Sequence, residues 1–473
     1  MPLRDLLLAG ILAASIPLVV RRPWLGILLW YWIGLMNPHR LTWGFMYDFP
    51  VAMLVAVITA MGLVLARDRE PPPLTKEMVL LAGMVVWFTV TSYFAWVSAA
   101  WNYWEQFMKI LLFTFLTPVL IHGRRRVEFL VLVITASIAF YGAKGGWFSI
   151  TGGFQNHVLG PPKSFIRGNT SLGLALVMIL PLILVVSRQL VQGRMQCLAG
   201  FRWSRWAGWA GYLSFWLTGL AILGTFSRGA MLALAVVAPL IFLLMRHKVI
   251  LAGLGVAVIL AVGVTFPDRV VERMETLQNI EEDGSAMSRI ESWGVNWNIA
   301  RENPLTGAGF NLVMAGNERW LSYSPMQGEG RTRALSAHSN YFQVLGHHGF
   351  VGLGLYLGLL GAVCLSLGRL ALRARRRKDT EWISEYAWAI LVGTIGYVAA
   401  GAFLDMAYFT LFYAFVALTV VLRREYKWAL EAQGQSEFGQ PAVVAGEHRG
   451  PIPHGARRVQ TNGSNGPNRY GAT

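Results

Sequence analysis

Charged side chains are scarce in this sequence. Asp, Glu, Lys and Arg make up 14% of its 473 residues, whereas a soluble globular domain contains about 25%. Hydrophobic residues reach 55%, the mean hydropathy is +0.46, and apolar runs of about 15 to 22 residues recur along the chain. These runs do not alternate polar with apolar residues, so they predict helices and not the strands of a membrane barrel. The sequence therefore predicts an all-α, polytopic helical membrane protein.

Disulfide, metal-binding and nucleotide-binding motifs are also missing. Cys197 and Cys364 are too few for a disulfide framework or a zinc site, and the adjacent His347 and His348 have no further ligand at a suitable spacing. There is no Gly-x-x-x-x-Gly-Lys-Ser/Thr, which argues against nucleotide hydrolysis. There is also no Asp-x-Asp in a predicted external loop to hold a divalent cation on a pyrophosphate. We therefore expect neither a cofactor nor a metal.

The net charge of +16 could indicate a nucleic-acid partner. The basic residues, however, cluster in short segments between apolar runs, and counting the runs places every cluster on one side. This is the distribution found in cytoplasmic loops of membrane proteins. It predicts membrane lipids and no nucleic acid as partners. The clusters are Arg124–Arg126, Arg188–Arg205, Arg246 with Lys248, Arg373–Lys378, and Arg423 with Arg424.

The apolar runs predict about thirteen membrane-spanning helices, or twelve if the first two, which are short and separated by Arg21-Arg22-Pro23, do not both cross. The predicted spans are Leu6–Val20, Trp24–Met36, Pro50–Ala66, Met78–Ala99, Phe107–Ile121, Val127–Phe148, Ser171–Val186, Ala207–Phe226, Ala230–Met245, Val249–Phe266, Gly349–Leu367, Tyr386–Leu404 and Met406–Leu422. They divide the chain into an N-terminal bundle at 1–266, an external segment at 267–348, C-terminal helices at 349–428, and a disordered cytoplasmic tail at 429–473.

The external segment at 267–348 is the long polar stretch between spans. A helix is predicted from the cap at Asp283-Gly284-Ser285 to Glu302, where Asn303-Pro304 ends it. Ile290, Trp293, Trp297 and Ala300 would share one face, which predicts a helix lying on the membrane surface. A loop to about Leu335 would precede a helix capped by Ser336 that carries His338.

His338 is the first candidate for chemistry. A histidine can accept a proton near neutral pH, and a general base typically contributes about 10²- to 10⁴-fold in rate. Arg331 and Arg333 precede it and Asn340 follows, so an anion could bind beside the base. A helix-start histidine bonded only to loop backbone is the structural alternative.

Arginines at the same predicted level supply the second part of the site. Arg228 lies in the short break Thr225–Gly229 between two apolar runs, where a charge is costly without a partner, and its guanidinium fits pairs of phosphate oxygens. Arg289 lies near the start of the surface helix. The alternatives are an interface anchor for Arg228 and an ion pair with Glu291 for Arg289. Lys144 and Arg167 add external positive charge, or lie with their charged ends at the interface.

Three short segments resemble, in the same order, motifs of the O-antigen ligase and O-antigen polymerase family of bacterial envelope proteins. They are Phe226–Ala230; Ser288-Arg289-Ile290 through Trp297 to the glycine turn Pro304–Gly309; and Ala337–Tyr341 with Gly346 and Gly349 following. Ser339 stands where the family usually has Asn directly after the histidine. Residues 160–166 also resemble a subgroup of O-glycosylation ligases found with exosortase systems.

The resemblance implies a multi-pass glycosyltransferase of the membrane-embedded C type (GT-C) in the bacterial inner membrane. Its site would face the periplasm, and its C-terminus would be cytoplasmic. It would transfer a glycan from undecaprenyl pyrophosphate to lipid A–core, without metal and with inversion. By matching position, Arg228 and Arg289 would hold the pyrophosphate, and His338 would serve as base or as the group that positions the acceptor. Independently of the resemblance, we predict that these residues bind substrate: Arg331, Arg333, Lys144, Arg167, Asn340 and Trp297. A polymerase or a protein O-glycosylation ligase of the same family is an alternative. From another class, a polysaccharide flippase would need polar groups near the bilayer midplane.

Overall fold

A computed structural model describes residues 3–244, 284–326 and 333–437. The chain divides into one compact unit, Met1–Leu430, and a second unit, Glu431–Thr473, most of which lies outside the described residues. The described residues form helices and connecting segments and contain no strand. The α-helices are α1 Leu3–Arg21, α2 Trp24–Met36, α3 Val51–Leu65, α4 Lys76–Tyr93, α5 Ala100–Leu120, α6 Arg124–Thr151, α7 Asn169–Val191, α8 Ser204–Gly224, α9 Arg228–Leu244, α10 Gly284–Glu302, α11 Asn317–Leu321, α12 Asn340–Ala374, α13 Glu381–Gly401 and α14 Thr410–Glu437.

Six of the described helices are long and apolar enough to cross a membrane: α1, α6, α7, α8, α12 and α13. Three shorter helices, α2, α3 and α9, are also apolar. These findings confirm the polytopic helical class. The count of twelve or thirteen crossings stays a prediction, and the predicted span Val249–Phe266 lies outside the described residues.

The segments between helices gather at two opposite ends of the bundle. The first, which we call the His338 face, contains 37–50, 94–99, 152–168, 225–227 and 402–409. Trp96 N–H donates to Ala308 O at 2.9 Å, and Lys163 Nζ is 3.1 Å from Asp48 Oδ1, so distant segments meet there. Asp5 Oδ1 accepts from Met46 N–H at 2.9 Å, which places the start of α1 at this face too.

The second end, which we call the Arg124 face, collects the basic clusters that the structure describes. Arg194 Nη2 lies 2.7 Å from Glu385 Oε1, and Arg424 donates to Ile121 O at 2.6 Å. The one-sided distribution of basic residues is therefore reproduced for the clusters within 3–244 and 333–437. Arg246 and Lys248 lie outside the described residues.

Helix α7 forms the centre of the compact unit. Nearly every side chain from Leu172 to Leu190 is buried, because α6, α8, α9 and α13 all pack around it. A helix that is apolar on all sides is expected in such a position. The helix–helix contacts use small residues; a Cβ on Gly146 of α6, for example, would lie 2.0 Å from Leu217 O of α8.

Several predicted boundaries were wrong. Helix α4 ends at Tyr93 and not at Ala99, because the backbone at Trp96 turns away to bond with Ala308. Helix α5 begins at Ala100, so residues 101–106, predicted as a loop, are helical. Helix α14 continues to Glu437, past the predicted start of a disordered tail, because residues 429–433 are mostly strong helix formers. The rest of that predicted tail, 438–473, lies outside the described residues.

A half-buried histidine on the His338 face, His39, predicts a pH dependence of stability. Burial, and secondarily the charge of Arg40, lowers the pKa of His39 to about 4, below its usual 6.5. The unfolded chain therefore binds this proton more readily, so the stabilisation is complete above about pH 6.5 and is lost as the pH falls towards 4. We expect His39→Gln to weaken the drop in apparent unfolding temperature between pH 6.5 and 4. Identical pH profiles for both proteins would contradict this.

Candidate active site

The glycine turn at 304–309 is bonded to a break in helix α12. Gly349 has φ 65° and ψ −168°, so the helix loses its regular hydrogen bonds there. Ala308 N–H donates to Gly346 O at 2.8 Å, Gly309 N–H donates to His347 O at 2.9 Å, and Phe350 N–H donates to Pro304 O at 2.8 Å. The turn thus satisfies backbone groups that the break would otherwise leave unpaired inside the protein.

These contacts explain why glycines stand at the motif positions. Gly307 has φ 60°, and a Cβ there would lie 2.5 Å from Gly346 O. A Cβ on Gly346 would lie 2.0 Å from Asn296 Oδ1 of α10. Side chains at these positions would push the three segments apart. The second and third segments of the sequence resemblance therefore form one packed unit.

His338 lies in the turn before α12, with φ 46°, and not inside the helix. The prediction that Ser336 caps this helix was wrong, because Ser339 occupies the N-cap position and α12 begins at Asn340. The His338 side chain is 44% exposed, and its Nδ1 lies 3.9 Å from Asp405 Oδ1. At this distance the two groups form an ion pair when the imidazole carries a proton. The arrangement can accept a proton and stabilise the resulting charge.

Asn340 holds the segment that carries Asp405. Its side chain is buried, and its Oδ1 accepts from Met406 N–H at 2.6 Å. Gln343 Oε1 accepts from Ala407 N–H at 3.2 Å. The structure therefore places Asn340, predicted to bind substrate, in a contact that positions Asp405 next to His338.

A cavity of about 240 Å³ opens beside His338, and Ser336, Ala337 and Asp405 line it. Aromatic rings from α5 and from distant connecting segments form much of its wall; these are Tyr103, Phe107, Phe165, Phe310, Tyr408 and Phe409. Its polar lining is mostly uncharged, with amide groups and an imidazole as well as the Asp405 carboxylate. A cavity with apolar walls and a few polar groups is typical of a small-ligand site.

The polar groups of the cavity include two that were not predicted as site residues, His347 and Tyr408. His347 Nδ1 lies 3.0 Å from the Tyr408 hydroxyl. Asn296 Oδ1 and Asn311 Nδ2 are buried and have no hydrogen-bond partner among the described residues. Both residues line the cavity, so its wall includes an amide acceptor and an amide donor that no described residue pairs. Only the fold brings these residues together, so spacing along the chain gave no signal for them.

Arg228 is the first residue of α9. The Ser227 hydroxyl accepts from Ala230 N–H at 3.3 Å, which caps the helix. A Cβ on Gly229 would lie 3.6 Å from the Phe403 side chain. The start of α9 therefore lies against the segment that leads to Asp405. This joins the first segment of the sequence resemblance to the other two.

Helix α10 has the predicted bounds, but its packing differs from the prediction. Ile290 and Trp297 are about half exposed, whereas Ala300 is buried. Trp293 stacks on Phe342 at 5.4 Å, since α10 packs against α12. The four predicted residues thus do not form one exposed face.

Arg289 is half-buried on α10, one turn before Trp293, whose ring lies 6.3 Å from that of Phe403. The ion pair with Glu291 is not seen within the described residues. Glu291 is buried and accepts from the Ser324 hydroxyl at 2.7 Å. Through Trp293 and Phe403, Arg289 is on the same side of the protein as Arg228 and His338.

None of the predicted site residues that the structure describes, His338 included, lines the cavity itself. Arg333, Arg167 and Lys144 are exposed, and Trp297 packs edge-on against Phe350 at 5.8 Å. Arg331 lies outside the described residues. The substrate-binding roles of these five residues stay predictions. Within 3–244, 284–326 and 333–437, no group of three or more His, Cys, Asp or Glu could hold a metal ion.

Two family models match the chain. Residues 3–191, which comprise α1 to α7, match a family of unknown function (DUF5935). Residues 213–357, which contain Arg228, Arg289, His338 and the glycine turn, match the model described as O-antigen ligase. No curated protein matches the chain. Residues 213–357 of the chain therefore resemble the O-antigen ligase family.

Proposed function

We propose that this protein is an O-antigen ligase of the bacterial inner membrane that transfers a glycan from undecaprenyl pyrophosphate to lipid A–core. The His338 face would lie towards the periplasm and the C-terminus in the cytoplasm, in agreement with the basic residues of the Arg124 face. The observation that carries the proposal is the meeting of His338 and Asp405 beside a cavity, on the same side of the protein as Arg228 and Arg289.

In the proposed reaction, a hydroxyl oxygen of the acceptor attacks the anomeric carbon of the donor. His338 takes the hydroxyl proton, and Asp405 stabilises the imidazolium that forms. The bond between the anomeric carbon and the pyrophosphate oxygen breaks, and the electron pair leaves with undecaprenyl pyrophosphate. Arg228 and Arg289 neutralise that leaving group. Attack opposite to the leaving group inverts the anomeric carbon.

The cavity beside His338 would hold a sugar of the acceptor or of the donor. Its aromatic walls suit the apolar faces of a pyranose ring, and the unpaired amide atoms of Asn296 and Asn311 suit its hydroxyl groups. A sugar bound in this cavity would have one hydroxyl group close to His338. Proximity of this kind accelerates bimolecular reactions strongly.

The proposal is tested by reconstituting the purified protein with lipid-linked glycan and lipid A–core, with and without a chelator. Glycan on lipid A–core in both reactions supports a metal-independent ligase. A longer donor chain would indicate the polymerase alternative, and glycan on an added acceptor protein would indicate the protein ligase. Loss of product with chelator, restored by a divalent cation, would contradict the metal-free mechanism.

The flippase alternative requires polar groups along a path through the bilayer centre. Three fully buried carboxylates lie near helix ends instead: Asp5 in α1, Glu77 in α4 and Glu128 in α6. Reconstituted liposomes separate the two functions, because a flippase would move the lipid-linked glycan across the bilayer without changing its covalent structure.

Arg228→Lys is predicted to lower the rate of transfer by about 10-fold or more, although the charge is kept. A lysine ammonium cannot reproduce the paired hydrogen bonds of a guanidinium on phosphate oxygens. The rate of glycan transfer under saturating acceptor measures the effect. Arg4→Lys, at an exposed position of the same face, is the matched control and is expected to leave the rate unchanged. Equal rates for both variants would make Arg228 an interface anchor only.

A further inference from the structure

A second cavity, of about 180 Å³, lies at the Arg124 face, away from the candidate active site. It is formed where α4, α12 and α14 meet. Four basic side chains line it together with a serine and a tyrosine: Lys76, Arg369, Arg373, Arg423, Ser366 and Tyr426. Like charges four residues apart on a helix, as at Arg369 and Arg373, repel each other.

The single acid at this position does not neutralise the cluster. Glu77 is fully buried, and its two oxygens accept from Arg423 Nη1 at 2.9 and 2.7 Å. The Ser366 hydroxyl also donates to Glu77. The carboxylate is therefore engaged within the protein, and Arg423 balances its charge.

The other three basic side chains of the cavity, Lys76, Arg369 and Arg373, are not paired with an acid within the part of the chain that the structure describes. Arg369 and Arg373 are one turn apart on α12, so both point to the same side of that helix. Three uncompensated charges around a small concavity produce a positive potential that attracts an anion.

The surroundings of the cavity identify the kind of anion. Apolar side chains close in sequence to its lining residues are exposed: Leu74, two residues before Lys76, is 94% exposed, Leu372, beside Arg373, 68% and Leu365, beside Ser366, 55%. The acyl chains of a lipid can pack on such an apolar surface, whereas a soluble anion does not contact it. We propose that this cavity, the Arg369 cavity, binds the phosphate of an anionic phospholipid from the adjacent leaflet. Basic pockets between membrane helices are suited to lipid head groups, and the Tyr426 hydroxyl can add a hydrogen bond.

The test compares two double variants of the full-length protein. Arg369→Gln with Arg373→Gln removes two charges from the cavity. Arg375→Gln with Arg376→Gln removes two exposed charges from the same stretch of chain that do not line it. Binding of fluorescent phosphatidylglycerol to each protein in neutral detergent is titrated, with phosphatidylcholine or inorganic phosphate as competitor. Size-exclusion profiles check that each variant is folded.

We expect the cavity variant to bind phosphatidylglycerol about 10-fold or more weakly than the control variant, because charge-assisted hydrogen bonds to phosphate are lost. Phosphatidylcholine should not displace the probe, and millimolar inorganic phosphate should displace it only partly. Equal weakening in both double variants would mean diffuse surface attraction and would overturn the proposal. Complete displacement by inorganic phosphate would overturn the lipid assignment and indicate a site for a free phosphate.

Discussion

His338→Ala is expected to lower the rate of glycan transfer by about 10²- to 10⁴-fold, the usual contribution of a general base. The variant should reach the membrane in normal amounts, because the side chain is 44% exposed and fills no core position. Transfer from lipid-linked glycan to lipid A–core, measured at equal protein, gives the ratio. The large effect is expected because, among the described residues, no second histidine lies at this point to accept the hydroxyl proton; His347, the nearest one along the chain, is buried and faces Tyr408.

Two further variants make this result specific. His122→Ala removes a histidine from the Arg124 face, where it lies 3.0 Å from Asp68, and is expected to leave transfer unchanged. Asp405→Asn keeps the shape of the partner of His338 but removes its charge, and is expected to cause a smaller loss than His338→Ala. Full activity of His338→Ala would exclude the base role, whatever the other variants do.

Gly349→Ala is expected to destabilise the protein and to abolish transfer. A Cβ at this position would lie 2.4 Å from Leu305 O and 2.5 Å from Pro304 O. The backbone angles, φ 65° and ψ −168°, belong to a region that only glycine populates readily, at a cost of about 1 to 3 kcal/mol for other residues. Both effects act on the turn that holds α10 against α12. The apparent unfolding temperature in detergent and the transfer rate should therefore fall together.

Gly354→Ala, further along the same helix, is the matched control. No atom lies within 4 Å of the Cβ it would add, and alanine is the better helix former by about 1 kcal/mol. We expect an unchanged or higher unfolding temperature and normal transfer. If Gly349→Ala behaved like Gly354→Ala, the bonding between the glycine turn and the break in α12 would not matter for the site.

Much of the fold was predictable because a membrane helix is formed by one continuous run of apolar residues in the sequence. The predicted bounds of α2 and of α10 agree with the structure, since apolar composition and cap residues act within a few turns. The segments that meet at the two faces were also predictable, because each helix that crosses reverses the side of the next segment. Predicted helix boundaries were wrong where a tertiary contact ends a helix. Helix α4 ends at Tyr93, for example, because the backbone then turns so that Trp96 N–H can bond with Ala308 O.

The candidate site was predictable only in part. The positions of Arg228, Arg289 and His338 on one side follow from helix counting and from motifs in the sequence. The position of Asp405 beside His338 does not, because 67 residues separate them and the contact depends on how Asn340 holds the segment at Met406. The pairing of His347 with Tyr408 is equally remote in sequence.

The sequence by itself therefore determined the helical membrane class, the two faces, and the family motifs. Each of these depends on composition or on short-range spacing. The tertiary structure decided which polar groups meet. It broke α12 at Gly349 and paired the freed carbonyls of Gly346 and His347 with the N–H groups of Ala308 and Gly309. It left Asn296 Oδ1 and Asn311 Nδ2 without a partner among the described residues. The reason is physical: buried backbone and polar groups must find partners in space, and those partners are set by packing between helices and not by distance along the chain.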